Sequence, residues 1–285
     1  MKSKDSNYDL NKRLKCDDKL INVNKSMIMG VLNLTPDSFF EGSRNRSVED
    51  AFLRAESMIE SGVDIIDVGG VSTRPGADLL STEEELNRII PIIKLLKNKF
   101  SEILISVDTF RSEVARIAVE NGADIINDVY GGEYDDKMFD LVAELDVAYI
   151  LMHARGDAQT MQSLCQYDDV VKEVVFELSQ KVEKLRQKGV KDIIVDSGFG
   201  FAKNLEQNYT LFKNVAYLKL LDCPILIGIS RKSMIYKLLD IKADNSLNGT
   251  TVLNTLSIFE NYAIIRVHDV EEAVQARQII EAINA

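Results

Sequence analysis

Short apolar runs alternate with amphipathic stretches along this chain, and each run ends on a polar residue. The runs read IMGVLN, DIID, ILISVD, DIIND, YILMH, DIIVD, ILIGIS and AIIRVH. Their end points are Asn33, Asp67, Asp108, Asn127 with Asp128, His153, Asp196, Ser230 and His268. A short run that is apolar throughout, without alternation, is the pattern of a strand covered on both faces. Eight such strands, separated by helices, predict an α/β fold: a single (β/α)8 TIM barrel with a short N-terminal extension. A doubly wound open sheet produces a similar pattern, and the count of eight favours the barrel. In a barrel the active site lies where the strands end, so the polar end points are the candidate site.

The intervening stretches have helical periodicity. Val48, Ala51, Phe52, Ala55 and Ile59 share one face, and Ser47 is the expected N-cap. A second helix is expected over about Thr82 to Lys99, opened by a capping box of Ser81 or Thr82 with Glu84 or Glu85. A third, near Asp169 to Lys188, places Val171, Val174, Leu178, Val182 and Leu185 on one stripe before Gly189. Residues 1 to 25 are rich in Lys, Asp and Asn. They read as a flexible extension with a short ordered patch at Leu20 to Val23, leaving 26 to 285 as the barrel domain.

Composition narrows the function. The chain has 285 residues, of which 46% are hydrophobic, enough for a sizeable core. No apolar run approaches the roughly 20 residues of a membrane span, and the N-terminus lacks an apolar signal region. Three separated cysteines, Cys16, Cys165 and Cys223, form no CxxC pair, which suits a reducing, cytoplasmic setting. The net charge of −11 argues against a nucleic-acid partner. It does not exclude a small anion, because Arg74, Lys203, Arg231, Lys232 and Arg266 all fall at or just after strand ends.

The strand-end residues suggest chemistry. Asp67, Asp108, Asn127 and Asp196 are acceptors that would face one pocket. Two parallel hydrogen bonds from an amidine-like edge fit one carboxylate. The bland alternative has them capping helices or pairing with Lys232 and Arg266, a structural role favoured for Asp67. GISRKSM places cations where the seventh helix begins, and RVHD adds Arg266 and His268, a setting for an anion. The loops NLTPDSFFEGSR and VGGVSTRPGADLLS are long for this fold and carry Pro and Gly. No GxSxG, HExxH or GxxxxGK[ST] pattern is present, which argues against the common covalent hydrolases and nucleoside triphosphatases.

Seven segments together resemble dihydropteroate synthase. They are Met29 to Phe39 (MGVLNLTPDSF), Ser72 to Ala77 (STRPGA), Ser106 to Phe110 (SVDTF), Ile126 to Val129 (INDV), Leu151 to Gln162 (LMHARGDAQTMQ), Gly228 to Met234 (GISRKSM) and Arg266 to Val270 (RVHDV). They occur in that family's order over about residues 27 to 280. The resemblance implies a pterin-binding transferase of folate biosynthesis. Its reaction joins 6-hydroxymethyl-7,8-dihydropterin diphosphate to 4-aminobenzoate, giving 7,8-dihydropteroate and pyrophosphate. The family is a sulfonamide target.

Carried over by position, the resemblance implies that Asp108, Asn127, Asp196 and Lys232 hold the pterin. Arg266 flanks the ring and, with His268 and Asn33, holds the diphosphate. Asn33 also ligates Mg2+. Thr73, Arg74, Pro75, Phe201, Lys232 and Ser233 surround the 4-aminobenzoate. Lys232, Asp37, Glu41, Arg266 and His268 are the catalytic set of a dissociative, Mg-assisted reaction without a covalent enzyme intermediate. A cytoplasmic homodimer, with no nucleic acid and no membrane, is also implied. The alternatives are a non-catalytic pterin-binding paralogue and a methyltetrahydrofolate corrinoid methyltransferase. The latter has no use for the diphosphate-binding cations.

The chain departs from the family pattern at four places. Glu41 replaces an Asp, Val71 stands where Glu is frequent, and DSGFGFAKN has Ser197 for Pro and Ala202 for Gly. If position 202 adopts positive φ, Ala is strained there by about 1 kcal/mol or more. The changes bear on the placement of Phe201 and Lys203, and with it on aminobenzoate affinity and sulfonamide sensitivity.

Overall fold

Eight parallel strands close on themselves in the order β10-β3-β4-β5-β6-β7-β8-β9, in a computed structural model that describes residues 13–16, 19–22, 25–34, 44–71 and 80–285. The strands are β3 (Met27–Asn33), β4 (Ile65–Gly69), β5 (Leu104–Asp108), β6 (Ile125–Asp128), β7 (Ala148–Met152), β8 (Ile193–Asp196), β9 (Ile225–Ile227) and β10 (Ile264–Val267). Each barrel strand corresponds to one apolar run of the sequence, so the barrel expected from the count of eight is the fold observed. Two further strands, β1 (Arg13–Cys16) and β2 (Lys19–Asn22), pair antiparallel ahead of the barrel. They lie within residues 1 to 25, where the sequence pattern had marked only Leu20 to Val23.

The helices alternate with the strands: α1 (Arg44–Glu60), α2 (Thr82–Lys99), α3 (Ser112–Glu120), α4 (Met138–Leu145), α5 (Val170–Gln187), α6 (Leu205–Lys213), α7 (Ser233–Leu238), α8 (Leu247–Phe259) and α9 (Val270–Asn284). The capping box of α2 is complete: Glu84 N–H donates to Ser81 Oγ, and the Glu84 carboxylate accepts from Ser81 N–H. The first helix is longer than its apolar stripe. It begins at Arg44, so Ser47 lies inside its first turn and is not its cap. No described helix is long and apolar enough to cross a membrane.

Alternate residues on each strand face opposite sides of the barrel wall. Ile28, Ile66, Ile105, Ile126, Tyr149, Val195 and Ile265 belong to the outer core between wall and helices. Met29, Ile65, Leu104, Ile125, Ile150, Ile194, Leu226 and Ile264 fill the interior. Counting on by two from the interior set gives Asp67, Asp108, Asn127, Asp196 and Arg266. The apolar floor thus gives way to polar groups towards the C-terminal ends of the strands. Asp128 falls on the other parity. It accepts from Tyr149 Oη at 2.8 Å and from the Tyr130 and Gly132 N–H groups, so it serves the wall and not the mouth.

Candidate active site at the barrel mouth

Strand register brings the interior polar residues onto common rungs. Asn33 is the Cα partner of Gly69, Gly69 of Asp108, and Asp108 of Asn127. Gly69 leaves space between its neighbours, because a Cβ there would sit 3.2 Å from Asn33 Oδ1 and 3.4 Å from Asp108 Cβ. On the far side, Asp196 ends β8 beside Gly228, where a Cβ would lie 3.7 Å from Asp196 Oδ2 and 3.9 Å from Arg266 Cβ.

Arg266 organises the interior. Its Nε donates to Asp67 Oδ2 and its Nη2 to Asp108 Oδ2, each at 2.7 Å. Asp67 is fully buried, and the same Oδ2 accepts from Asn127 Nδ2 at 3.1 Å. Asp67 therefore has the structural role its sequence context favoured. Asp196 Oδ1 accepts from Gly198 N–H at 2.8 Å. Asp108 Oδ1 and Asp196 Oδ2 accept no hydrogen bond from the described residues. Burial pushes Asp108 up to about 7 against the pull of Arg266, and Asp67, Glu85 and Asp128 add to the rise. Burial also raises Asp196, opposed by Lys232 and the Gly198 N–H.

Lys232 stands at the N-cap of α7, and its Nζ donates to the Phe199 carbonyl at 2.6 Å and lies 5.0 Å from the centroid of the Phe201 ring. Burial lowers its pKa to about 8, held up by Asp196 and pressed down by Arg266. Ser233 is the first residue of α7. His268 is exposed just beyond β10, where its Nδ1 and backbone N–H both approach Ser230 Oγ at 3.1 Å. Phe201 packs with Val71, Phe110, Val129, Tyr130 and Met152 in an apolar patch at the mouth. Val71 is buried in that patch, where a carboxylate would need a partner.

Other expectations divide. Asp37, Glu41, Thr73, Arg74 and Pro75 lie outside the described residues. Two of the cations expected to face an anion are engaged elsewhere. Arg231, at φ +54°, pairs with Asp269, Nη2 to Oδ1 at 2.6 Å. Lys203 Nζ is buried against His153 Nδ1 and two carbonyls. His153 thus faces Lys203 and Glu177, while His268 faces Ser230. Ala202 has φ +48°, the left-handed conformation considered for this position.

Sequence reading missed three anchoring residues. Arg88 Nη1 donates to the carbonyls of Leu34 at 3.5 Å and Gly70 at 3.2 Å, joining the segments that follow β3 and β4. Glu85, fully buried on α2, accepts from Thr109 Oγ1 at 2.7 Å and pairs with Arg111. Arg111 Nη2 also donates to the Leu80 carbonyl at 2.6 Å. A carboxylate one turn into a helix, facing a strand end, was the available signal for Glu85.

Among the described residues, no group of three or more His, Cys, Asp or Glu side chains is placed to hold a metal. Asn33 offers one carboxamide oxygen at the rung shared with Asp108. A single oxygen ligand fits a Mg2+ that arrives with phosphate oxygens, since Mg2+ is commonly held by one or two protein ligands plus substrate phosphates.

Fold and site define a (β/α)8 barrel that gathers carboxylates, a carboxamide and two cations at the C-terminal ends of its strands. A family model described as pterin binding enzyme matches residues 29–268. The dihydropteroate synthase of Escherichia coli strain K12 is 42% identical over 257 residues, covering 90% of each chain. The dihydropteroate synthase of Xanthomonas albilineans with 4-aminobenzoic acid superposes with a TM-score of 0.89 at 35% identity, covering 97% of this chain and 99% of that one. The same enzyme in complex with 7,8-dihydropteroate gives a TM-score of 0.86 at 33% identity, covering 96% and 99%. The chain belongs to the pterin-binding enzymes and, within them, to the dihydropteroate synthase family.

Proposed function

We propose that this protein joins 6-hydroxymethyl-7,8-dihydropterin diphosphate to 4-aminobenzoate, releasing pyrophosphate and forming 7,8-dihydropteroate. The observation that carries this reading is the pair of inward carboxylate oxygens, Asp108 Oδ1 and Asp196 Oδ2, with no donor among the described residues. Both side chains are largely buried, each leaves one carboxylate oxygen for a ligand, and the amidine-like edge of a pterin supplies two parallel donors. Asn127 completes the cradle, and Lys232 faces the carbonyl side of the ring.

Arg266 spends Nε and Nη2 on Asp67 and Asp108, which fixes the plane of its guanidinium beside the ring. Its Nη1 has no hydrogen bond among the described residues and serves the diphosphate with His268. Asn33 would hold Mg2+, which supplies neutralisation of the leaving diphosphate when bound. The methylene C–O bond breaks first, and its electron pair leaves with pyrophosphate. The positive charge left on the methylene spreads over the ring nitrogens, and the Asp108 and Asp196 carboxylates stabilise it. The arylamine nitrogen attacks that carbon and loses one proton. An arylamine is a free base near neutral pH, so no strong general base is required. The resemblance gives Asp37 and Glu41 a share in stabilising the cation, and Thr73, Arg74 and Pro75 a place around the aminobenzoate with Phe201 and Ser233.

The same reading includes a homodimer. Its support is the exposure of Val252, Leu256, Phe259, Ile279 and Ile283 on α8 and α9, an apolar face of the kind a second copy covers. The test of the function is incubation with both substrates and Mg2+, followed by mass detection of 7,8-dihydropteroate. Product that requires both substrates supports the synthase. Tight pterin binding without product indicates a pterin-binding paralogue.

A further inference from the structure

Lys203 is 5% exposed, yet its ammonium does not face the mouth. Its Nζ lies 3.0 Å from His153 Nδ1, 3.0 Å from the Gly198 carbonyl and 3.0 Å from the Phe201 carbonyl. An ammonium has three N–H donors, and three acceptors are in place. The segment it holds is irregular. Gly198, Gly200 and Ala202 all have positive φ, at +67°, +82° and +48°. Alternating left-handed residues turn carbonyls away from any regular ladder, so they need donors from elsewhere. Gly198 is also confined, since a Cβ there would sit 1.9 Å from the His153 carbonyl oxygen.

The anchor continues outward. His153 Nε2 lies 3.0 Å from Glu177 Oε2, and Glu177 pairs with Arg155, which stacks 3.9 Å from the centroid of Tyr167. The hydrogen-bond directions fix the tautomer: Nε2–H donates to the carboxylate, and Nδ1 accepts from the lysine. The chain of contacts joins the end of β7, α5 and the segment after β8. Its inner end is the Phe201 backbone, whose ring packs at the mouth beside Lys232.

We propose that Lys203 is a positioning residue for the second substrate: its ammonium, seated on His153 and Glu177, fixes the Gly198–Phe201 carbonyls and so the face that Phe201 presents to the arylamine. All three of its protons are used within the protein, so it does not touch the substrates. The proposal rests on the synthase reading above, because it takes 4-aminobenzoate as the molecule beside Phe201. It weights the two substrates unequally: the backbones of Asp108, Asn127 and Asp196 are held in strands and meet the tied segment only through Gly198 N–H on Asp196 and the Phe199 carbonyl on Lys232, while the Phe201 face stands wholly on that segment.

The test is steady-state kinetics of the full chain for both substrates, comparing wild type with Lys203→Met and His153→Gln. Lys203→Met is expected to raise KM for 4-aminobenzoate by about tenfold, the equivalent of one lost ordering contact. KM for the pterin diphosphate and kcat should stay within about twofold. His153→Gln keeps an acceptor for Lys203 and should stay within about threefold of wild type for every constant. If Lys203→Met does not fold, His153→Leu removes one acceptor of the three, and a rise of about threefold confined to the aminobenzoate KM is expected. A fall in kcat with both KM values unchanged would mean fewer active molecules, a merely structural role, and would overturn the proposal. Unchanged constants in every variant would also overturn it. Wild type that makes no dihydropteroate would instead overturn the synthase reading on which the proposal rests.

Discussion

Arg266 Nε donates to Asp67 Oδ2 at 2.7 Å, joining residues 199 positions apart across the strand that separates them. β3 lies between β10, which carries Arg266, and β4, which carries Asp67. The pair sets the plane of the guanidinium from which Asp108 is also held. Removing one partner of a buried ion pair leaves the other uncompensated, at about 3–5 kcal/mol. Asp67→Ala should therefore lose about 3 kcal/mol of stability in denaturant titration. Asp67→Asn, which keeps an acceptor oxygen, should lose less. Equal stability of wild type and Asp67→Ala would show that Arg266 is positioned by other means.

Lys232 gives the opposite prediction for stability. Burial lowers its pKa to about 8, so its charge is carried at a cost to the fold. Lys232→Met should retain or raise Tm while turnover falls by about 100-fold or more, the scale for removing one preorganised donor. Turnover near wild type in that variant would remove Lys232 from the site.

Asp196 is expected to act mainly in pterin binding. Its Oδ2 has no donor among the described residues, and one charge-assisted hydrogen bond there is worth up to about 3 kcal/mol. Asp196→Asn should weaken binding of a 7,8-dihydropterin by roughly 100-fold in calorimetry, with the fold intact. An unchanged dissociation constant would place the pterin elsewhere.

His153 predicts a specific loss of stability in acid. Burial, with help from the Lys203 ammonium, lowers its pKa from 6.5 to about 4. A depressed folded pKa contributes stability that is present above the unfolded value and lost as pH falls through the folded one. The contribution is therefore full above pH 6.5 and gone below about pH 4, on the order of 3 kcal/mol. Asp108 runs the other way, since its folded pKa of about 7 lies above 3.8 and its contribution is lost as pH rises through 7. The comparison of wild type with His153→Gln cancels Asp108, and Lys203, which burial lowers to about 7, titrates mostly above the pH 7 to pH 4 range in which the histidine does. Denaturant titrations from pH 7 to pH 4 should show wild type losing stability relative to the variant. Parallel curves would mean that His153 titrates near its ordinary value.

The sequence made the barrel legible because each of its strands is short and largely apolar, with a polar residue at, near or just beyond its end. Burial on both faces removes the alternation that would otherwise hide such a strand. The candidate site was legible to the same depth: Asp108, Asn127 and Asp196 were placed at the mouth by the strand ends that carry them. Period two separates Asn127, facing in, from Asp128, facing the wall, and a reading by strand ends alone did not use it. Ala202 was legible as a strained position only through the family resemblance, which has Gly there, and its φ of +48° bears that out. The pairing of Arg266 with Asp67 was not fixed, since it depends on barrel closure, and neither was the internal use of Lys203. A lysine after a strand end looks the same in sequence whether it faces an anion or three acceptors inside the protein. The start of α1 at Arg44 also escaped, because its first turn is polar and carries no stripe.

The most direct test of the central claim is the time course of pyrophosphate release from 6-hydroxymethyl-7,8-dihydropterin diphosphate with Mg2+, run with and without 4-aminobenzoate. The account predicts sustained release only with the arylamine present, matched mole for mole by dihydropteroate. Sustained release that is indifferent to 4-aminobenzoate, or none under either condition, would contradict it.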